Sequence, residues 1–282
     1  MIAAVIVLYY PEIECLKKNI AAVMPQVDYV ILVNNSPEIL VDNIMKEYNK
    51  DKYSIILNSK NLGIAKAINQ GILLANKKGC KWLLTLDQDS ICPSDLISVY
   101  KKYIEIEKVA IVCCAINYND LEIENADGVK FEYVKDCITS AALINVSISI
   151  ALGGMDEKMF IDQVDFEFCY RIKQQGYKIV KTNEVILKHN LGNLHLVRIG
   201  NIVIHVGNHS SFRKYYMARN LIYMARKHPK MHPRCYYVYR ICALIAKTFL
   251  FEEQKKEKIV AILEGIKAGR ECELYDCNLE MK

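Results

Sequence analysis

Two carboxylates one residue apart follow an apolar run in the segment WLLTLDQDS at residues 82–90. The run reads as a buried strand. Because alternate side chains of an extended segment point the same way, Asp87 and Asp89 can bind one divalent cation at the strand's C-terminal end. Ligands bind at that end in open α/β sheets. The letters Asp-Gln-Asp-Ser also fit a polar turn leading into a helix capped by Ser90 or Ser94.

A second acidic group lies in FIDQVDFEFCYRIKQQGY, where Asp162, Asp165 and Glu167 stand at the start of an amphipathic helix. Acidic residues in a first helical turn also serve as caps or as complements of the helix dipole, so position alone does not assign them a function. Further along, NEVILKHNLG places His189 directly after a strand. A single histidine there is compatible with a metal ligand or with a structural role.

The elements that must position these groups alternate between strand and helix in the first half. We predict strands at 3–9, 29–33, 53–58 and 82–86, with helices at 12–24 and before Gly79. Strands that end in polar clusters and are each followed by a helix predict a parallel sheet with one polar edge, long enough for a nucleotide. After residue 108 we predict strands at 109–117, 131–146 and 178–188, a helix at about 162–175, and helices from Phe212 onward.

Composition is that of an ordinary globular chain, with 282 residues, 52% apolar and 24% charged. We expect one large domain with a C-terminal appendage. The opening MIAAVIVLYYPE predicts a first strand rather than a signal peptide, and no run approaches the roughly 18 apolar residues of a membrane span. Eleven cysteines, several inside apolar runs, fit a reducing cytoplasm. The lone close pair near the C-terminus, Cys272 and Cys277, lacks the partners of a zinc site.

Taken in order, eight segments resemble the inverting glycosyltransferases of family two, and most closely their bacterial rhamnosyltransferases. The resemblance covers roughly residues 3 to 225. The segments are VIVLYYPE, ILVNNSP, NLGIAKAINQGI, LLTLDQDS, TSAALI, GGMDEKMFIDQVDFEFCYR, the histidine of LKHNLG, and RKYYMARN. It implies an α/β fold of the GT-A type, which is Rossmann-like, with a mostly parallel central sheet flanked by helices and a C-terminal helical extension. The glycosyltransferase domain would span 1–210, with a nucleotide-binding half at 1–108 and an acceptor half at 109–210, and the extension 211–282.

The resemblance also implies roles for the acidic residues. Asp87 and Asp89 would form the DXD motif that holds Mg²⁺ or Mn²⁺ on the donor diphosphate, with His189 as the third protein ligand. A cation there stabilises the charge that develops on the leaving diphosphate. Asp165 would be the catalytic base that takes the proton of the acceptor hydroxyl. On the acceptor side the resemblance places Ser140, Asp162 and Glu167, while we expect Arg171 to pair with a neighbouring carboxylate.

Nucleotide-sugar contacts are implied for residues that follow the first strands: Leu8, Asn34, Asn61, Gly63, Lys66 and Asp87. Asn34 stands where many relatives have an aspartate that accepts a hydrogen bond from the base, and an amide oxygen accepts the same bond without charge assistance. Gly63 permits close backbone approach. Lys66 can reach phosphate or extend into solvent from its helix, and the Ser140 hydroxyl can equally pair with backbone.

The C-terminal region is basic and rich in tyrosine, with no acidic residue in 213–240. Its apolar residues occur at helical spacing, so we do not expect nucleic-acid binding. An amphipathic helix of this kind fits an anionic membrane surface, and it equally fits a helical cap or a dimer contact.

The resemblance therefore implies a metal-dependent inverting hexosyltransferase that uses a nucleotide-sugar donor. By analogy it would move rhamnose from dTDP-rhamnose to a saccharide or lipid-linked saccharide in cell-surface polysaccharide synthesis, in the cytoplasm or at the inner face of the membrane. Two alternatives stay open: a galactosyl- or N-acetylglucosaminyltransferase using a UDP-sugar, and a catalytically idle sugar-nucleotide or glycan-binding protein. A nucleotidyltransferase would need a glycine-rich phosphate loop after its first strand, and LYYPEIE offers none.

Overall fold

A computed structural model describes residues 1–118, 128–189, 195–199 and 202–275. The chain divides into two compact units. Unit 1 comprises Met1–Glu157 and Asp165–Asn190, and unit 2 comprises Lys158–Val164 and Leu191–Asp276. This division begins unit 2 near residue 191 and assigns residues 158–164 to it, whereas the sequence suggested one boundary at residue 210.

The first half of unit 1 follows the predicted strand and helix alternation. Strands β1 (Ile2–Leu8), β2 (Tyr29–Asn34), β3 (Tyr53–Leu57) and β4 (Trp82–Asp87) are parallel and lie in the order β3-β2-β1-β4. Helices α1 (Ile13–Val23), α2 (Asp42–Met45) and α3 (Ile64–Lys77) connect them. β1, β2 and β4 are buried over almost their whole length, which is why they read as continuous apolar runs rather than alternating ones.

Strand register brings the polar strand ends to one edge of the sheet. Leu8 pairs with Asn34, Asn34 with Leu57, and Val7 with Asp87. Because these strands are parallel, their carboxyl ends lie side by side, as the sequence predicted.

In its second half the sheet becomes mixed. The elements are α4 (Leu96–Tyr100), β5 (Val109–Tyr118), β6 (Phe131–Tyr133), β7 (Ala142–Asn145), α5 (Val146–Ala151), α6 (Val164–Gln174) and β8 (Lys178–His189). The eight strands take the order β3-β2-β1-β4-β7-β5-β8-β6, with β7 antiparallel to both neighbours and β6 antiparallel to β8. The single strand predicted at 131–146 was wrong, because it is two short strands separated by a loop that turns at Ala141, where φ is +57°.

Close packing of α3 against β1 depends on Gly71. A Cβ at this position would lie 2.7 Å from Cγ2 of Val5. Because Gly71 has no side chain, α3 can pack close to the sheet at this point. This close packing keeps the start of α3, at Gly63, near the strand ends.

Unit 2 contains a hairpin and three helices. The hairpin pairs β9 (His195–Ile199) with β10 (Ile202–Val206) and was absent from the sequence expectation. The helices are α7 (Ser211–Lys227), α8 (Arg234–Phe251) and α9 (Lys255–Glu271), and α9 packs on α7 through Gly265 and Gly269. None of the described helices combines the length and apolarity that crossing a bilayer requires.

Candidate active site

The acidic pair at the end of β4 lies in a turn, not in an extended segment. Asp87 is the last strand residue, Gln88 and Asp89 form the turn, and the Ser90 N–H donates to the Asp87 carbonyl at 3.3 Å. The prediction that Asp87 and Asp89 alternate along a strand was therefore wrong in its geometry. Ser90 and Ser94 do not cap the next helix either, because α4 starts after Asp95. The carboxylate of Asp87 is half-buried and that of Asp89 is exposed.

Neutral side chains fix this turn from three directions. Asn19 of α1 is fully buried and its Nδ2 donates to the Asp87 carbonyl at 2.7 Å. Gln88 accepts from the Tyr9 N–H at 2.8 Å and donates to the Tyr9 carbonyl at 3.1 Å, so the turn is tied to the end of β1. The Ser90 and Ser140 hydroxyls are 2.9 Å apart. Ser140 is thus buried beside the turn with its hydroxyl against another side-chain hydroxyl, whereas the alternative from the sequence was pairing with backbone; its acceptor-side role stays a prediction.

Asp165, the second residue of α6, lines a small and mainly apolar cavity. Its Oδ1 accepts from the Phe166 N–H at 2.9 Å, and the residue lies in the first turn of α6, where a carboxylate complements the helix dipole. Thr85 and Thr139 line this cavity and also line the adjoining one that contains Asp87. Asp165 and Asp87 therefore line two adjoining cavities that share Thr85 and Thr139.

The Cys137 thiol in the Asp165 cavity is a poor nucleophile. The Sγ atoms of Cys137 and Cys169 lie 3.9 Å apart on its wall. Hydrogen bonding with the Cys113 and Cys169 thiols, together with burial, holds the pKa of Cys137 well above its usual value, so this thiol is protonated at neutral pH. Asp165 is left as the ionisable group suited to proton transfer in this cavity.

Glu167 forms a buried ion pair within α6. Its side chain is fully buried, and Arg171 binds it through three hydrogen bonds of 2.8 to 2.9 Å. Arg171 also donates to the carbonyls of Leu152 and Gly154, which join α6 to the turn after α5. The expected pairing of Arg171 with a carboxylate is confirmed, and the acceptor-side role of Glu167 stays a prediction.

Asp162 belongs to unit 2 and lies in a strained segment. Phe160, Asp162 and Gln163 have φ between 62° and 65°, which is rare for residues other than glycine. Arg213 pairs with the Asp162 carboxylate at 3.3 Å. The buried amide of Asn220 donates to the carbonyls of Met159, Ile161 and Asp162 at 2.7 to 2.9 Å, which offsets the cost of the strained backbone.

Asn34 has little capacity left for a nucleobase. Its Oδ1 accepts from both the N–H and the hydroxyl of Ser36, at 2.9 and 3.0 Å, and its Nδ2 donates to the Ile39 carbonyl. Leu8 is fully buried, and its carbonyl accepts from the Asn35 N–H at 2.8 Å. Both residues therefore shape the loop after β2, and neither presents an unengaged polar side-chain atom to the edge.

The start of α3 is held by an amide network that the sequence did not predict. Asn58 and Gln70 exchange hydrogen bonds of 2.8 and 2.9 Å, and Asn58 also donates to Asn35, which contacts the Gly63 carbonyl at 3.3 Å. Asn61 accepts from the Gly63 N–H at 2.9 Å. Gly63 has φ +83°, so its backbone conformation needs glycine.

Lys66 forms an ion pair within unit 1. Its Nζ lies 2.9 Å from Glu157, whose carboxylate is also bound by Asn69 at 2.9 Å. The Lys66 side chain is 43% exposed. Reaching a phosphate would require exchange of Glu157 for that ligand.

A divalent cation fits the chemistry of the turn, because Asp87 and Asp89 supply the carboxylate oxygens that Mg²⁺ and Mn²⁺ prefer. In the described part of the chain, no three metal-binding side chains converge. His189 ends β8, but its side chain lies outside what the structure describes. The expected third ligand therefore stays a prediction.

Comparison with solved structures shows the fold. A GalNAc-T7 structure with UDP, GalNAc and Mn²⁺ superposes with a TM-score of 0.63 at 14% identity, covering 96% of this chain and 56% of that one. Staphylococcus aureus TarS, residues 1–349, superposes at 0.57 with 11% identity over 96% of this chain and 82% of that one. Its complex with UDP-GlcNAc gives 0.58 at 10% identity, over 95% and 81%. The chain thus spans little more than half of the GalNAc-T7 structure, and the GT-A fold expected from the sequence is confirmed.

Sequence comparison gives a relative over nearly the full length. The dTDP-rhamnosyl transferase RfbF of Shigella flexneri is 29% identical over 290 residues, which cover 94% of this chain and 95% of that protein. The model of glycosyl transferase family 2 matches residues 4–154, from β1 to the turn after α5. That range is more than half of the chain and includes the Asp87 turn, the Gly63 loop and Ser140. The protein is a glycosyltransferase that belongs to glycosyl transferase family 2.

Proposed function

We propose that this glycosyltransferase is metal-dependent and inverting, and that it transfers rhamnose from dTDP-rhamnose to a saccharide or lipid-linked saccharide in cell-surface polysaccharide synthesis. The observation that carries the reaction type is the shared wall of the two cavities, which joins Asp87 and Asp165 through Thr85 and Thr139. The donor assignment is supported by similarity to the rhamnosyl transferase of Shigella flexneri along nearly its full length.

In the proposed reaction, Asp165 takes the proton of an acceptor hydroxyl as that oxygen bonds to the anomeric carbon. The bond from this carbon to the diphosphate breaks on the opposite face, and the leaving diphosphate keeps the electron pair. Inversion needs one base, and Asp165 is suited to that role because its carboxylate lines a cavity whose apolar wall limits competing water.

Asp87 and Asp89 are the residues we assign to the cation, with His189 as the candidate third ligand. When bound, Mg²⁺ or Mn²⁺ would supply positive charge against the diphosphate. The chain's own part is to keep the two carboxylates in place, through Asn19 and Gln88, without adding a competing charge beside them.

We assign recognition of the nucleobase to groups other than the Asn34 side chain that the resemblance implied. Since the Asn34 oxygen already accepts two hydrogen bonds, we propose that Asn34 positions the loop after β2 and that backbone groups of this loop face the base. Asn34→Asp would place a carboxylate beside the Ser36 donors, so we expect it to bind dTDP within about threefold of wild type, less than one ordinary hydrogen bond contributes.

Calorimetric titration with dTDP, UDP and GDP, each with Mn²⁺ and with EDTA, tests the donor and the metal together. The proposal expects tight binding of dTDP that depends on Mn²⁺. A metal-dependent preference for UDP would favour the alternative of a galactosyl- or N-acetylglucosaminyltransferase that uses a UDP-sugar. Absence of binding by all three would favour the idle scaffold.

Two substitutions separate the metal from the base. Asp89→Ala is expected to abolish the Mn²⁺-dependent part of dTDP binding. Asp165→Asn is expected to leave dTDP affinity within about twofold and to lower turnover by at least about a hundredfold. The matched control is Asp51→Asn, an exposed carboxylate before β3 at the opposite edge of the sheet, which should change neither quantity. Retained turnover in Asp165→Asn would refute the base assignment.

We also propose that the protein works in the cytoplasm. The cysteines in the described residues are all free thiols, including three that are exposed or half-buried in unit 2. Free thiols at such positions persist in a reducing compartment.

A further inference from the structure

Helix α8 in unit 2 is apolar on two opposite sides. One side packs into the unit through its buried residues Tyr237, Ile241, Leu244 and Thr248. The other side is exposed, and its residues recur every three or four positions along the whole helix: Cys235, Val238, Tyr239, Cys242, Ala246, Phe249 and Leu250. Four of them are 58% to 68% exposed. We call this side the α8 outer face.

The neighbouring helix shows what an ordinary solvent-facing surface looks like in this unit. The exposed residues of α9 mix apolar and charged side chains, with Val260 and Leu263 flanked by Glu264 and Lys267. The seven members of the α8 outer face are uncharged, and the exposed charged residues of α8, Arg234, Arg240 and Lys247, lie beside this face rather than within it. A contiguous apolar surface of this kind marks a contact with something other than water.

The charged residues beside the α8 outer face indicate what kind of partner binds there. Residues 213–251 contain nine lysines and arginines and no aspartate or glutamate. In α8 itself, Arg240 and Lys247 lie on one flank of the face and Arg234 on the other. Arg240 is held against the helix, because its Nη1 donates to the Tyr236 hydroxyl at 2.7 Å and its guanidinium lies 5.6 Å from that ring.

We propose that α8 is an interfacial helix that lies on an anionic lipid bilayer with its outer face in the headgroup and acyl boundary. A helix of 18 residues presents about 27 Å of surface, with apolar side chains along its centre, cations along its flanks and a tyrosine hydroxyl available at the boundary. Because residues 213–251 contain no aspartate or glutamate, this basic surface would repel a second copy of itself and attract anionic lipid.

This assignment rests on residues of unit 2 alone. Only its use, which would be to bring the enzyme to a lipid-linked acceptor, rests on the proposed function. The two therefore fail independently, and nucleotide titration of every variant below keeps them apart.

Vesicle flotation of the full chain tests the apolar part. We compare vesicles of phosphatidylcholine with vesicles of phosphatidylcholine mixed with phosphatidylglycerol, and expect association with the mixed vesicles. Phe249→Ser/Leu250→Ser is expected to weaken association by at least about tenfold, since two large apolar side chains no longer enter the lipid. The matched control is Val260→Ser/Leu263→Ser on α9, which removes two similarly exposed apolar side chains and should change association by less than about twofold.

A second pair of variants tests the charge. Arg240→Gln/Lys247→Gln is expected to lower association with the mixed vesicles by about fivefold for each charge removed. The same exchange at Lys256 and Lys267 of α9, both exposed, is the control and should have a smaller effect.

Three results would overturn the proposal. Wild-type protein that floats with neither vesicle removes the lipid partner. Equal losses in the α8 and α9 variants remove the outer face as the contact. A dimer in sedimentation equilibrium that Phe249→Ser/Leu250→Ser dissociates, without vesicle association by the wild type, identifies a second copy as the occupant.

Discussion

Replacing Glu167 with glutamine removes one charge from the ion pair that anchors α6. The Glu167 side chain is fully buried and that of Arg171 is 11% exposed, so the substitution removes a counterion from the guanidinium in a site that water barely reaches. Breaking a buried pair in this way costs about 3–5 kcal/mol of folding free energy. We expect a loss of about 3 kcal/mol, because glutamine still accepts one hydrogen bond and Arg171 keeps the carbonyls of Leu152 and Gly154.

Urea unfolding at pH 7, followed by a signal from unit 1 such as the fluorescence of the lone tryptophan Trp82, measures this loss. The matched control is Glu14→Gln on α1. Glu14 pairs with Lys17 at 2.7 Å, but the two side chains are 69% and 51% exposed, so the same chemical change should cost far less stability than Glu167→Gln.

A loss below about 1 kcal/mol, or one equal to that of the control, would refute the reasoning, because the buried pair would then contribute no more than an exposed one. The double variant Glu167→Leu/Arg171→Leu sharpens the test. Removing both charges avoids separating the Arg171 guanidinium from the Glu167 carboxylate, yet the carbonyls of Leu152 and Gly154 lose a donor. We therefore expect it to remain about 2 kcal/mol less stable than wild type.

Three further substitutions test the packing and the electrostatics of each unit. Gly71→Ala should destabilise unit 1 by about 1–2 kcal/mol in urea unfolding, since the new methyl meets Val5 at 2.7 Å; a gain in stability would contradict the close approach. Gly265→Ala should lower the melting temperature of unit 2, because its methyl would overlap the Tyr215 carbonyl, and an unchanged melting curve would be inconsistent with that contact. Hydrogen bonds from Tyr103 and Lys102 lower the pKa of Glu184, so its carboxylate stabilises the folded state fully above about pH 5 and less in more acid solution. The difference in unfolding free energy between wild type and Glu184→Gln should therefore shrink below about pH 5, and a difference that grows there would contradict the prediction.

The parallel half of the sheet was predictable because its signals are local. Each of its strands is an apolar run that ends at a polar cluster, and each connecting helix has a clear stop. The second half was less predictable because tertiary contacts decide it. Residues 131–146 are apolar enough for one strand, but the chain turns at Ala141, whose carbonyl accepts from the buried Tyr100 hydroxyl at 2.7 Å. Burial raises the pKa of that hydroxyl, which keeps it a donor at neutral pH. Nothing near residue 141 in the sequence encodes that partner.

Within the site, the sequence revealed the carboxylates and missed the amides. Aspartates are conspicuous because their chemistry is unusual in apolar surroundings, whereas Asn19 and Asn220 read as ordinary surface residues. One signal was available: Asn19 falls between Leu16 and Ile20 on the apolar side of α1, where a polar side chain must find a buried partner. The identity of that partner, the Asp87 carbonyl, depends on how α1 packs beside β4 and could not be read from spacing.

Neutral amides are well suited to support a site whose function depends on carboxylates. Asn19 and Gln88 each bind main-chain groups, so they fix the backbone that carries Asp87 without adding a charge that would shift a nearby pKa. Arg171, a cation of the same unit, instead forms an ion pair with Glu167 within the scaffold. Because the Thr85 hydroxyl bonds the carbonyls of Thr139 and Ala142, the wall shared by the Asp87 and Asp165 cavities is itself part of the β4 and β7 pairing. A displacement of β4 would therefore move the proposed metal ligands and the lining of the proposed base together, and the geometry between them is set by the sheet rather than by the loops.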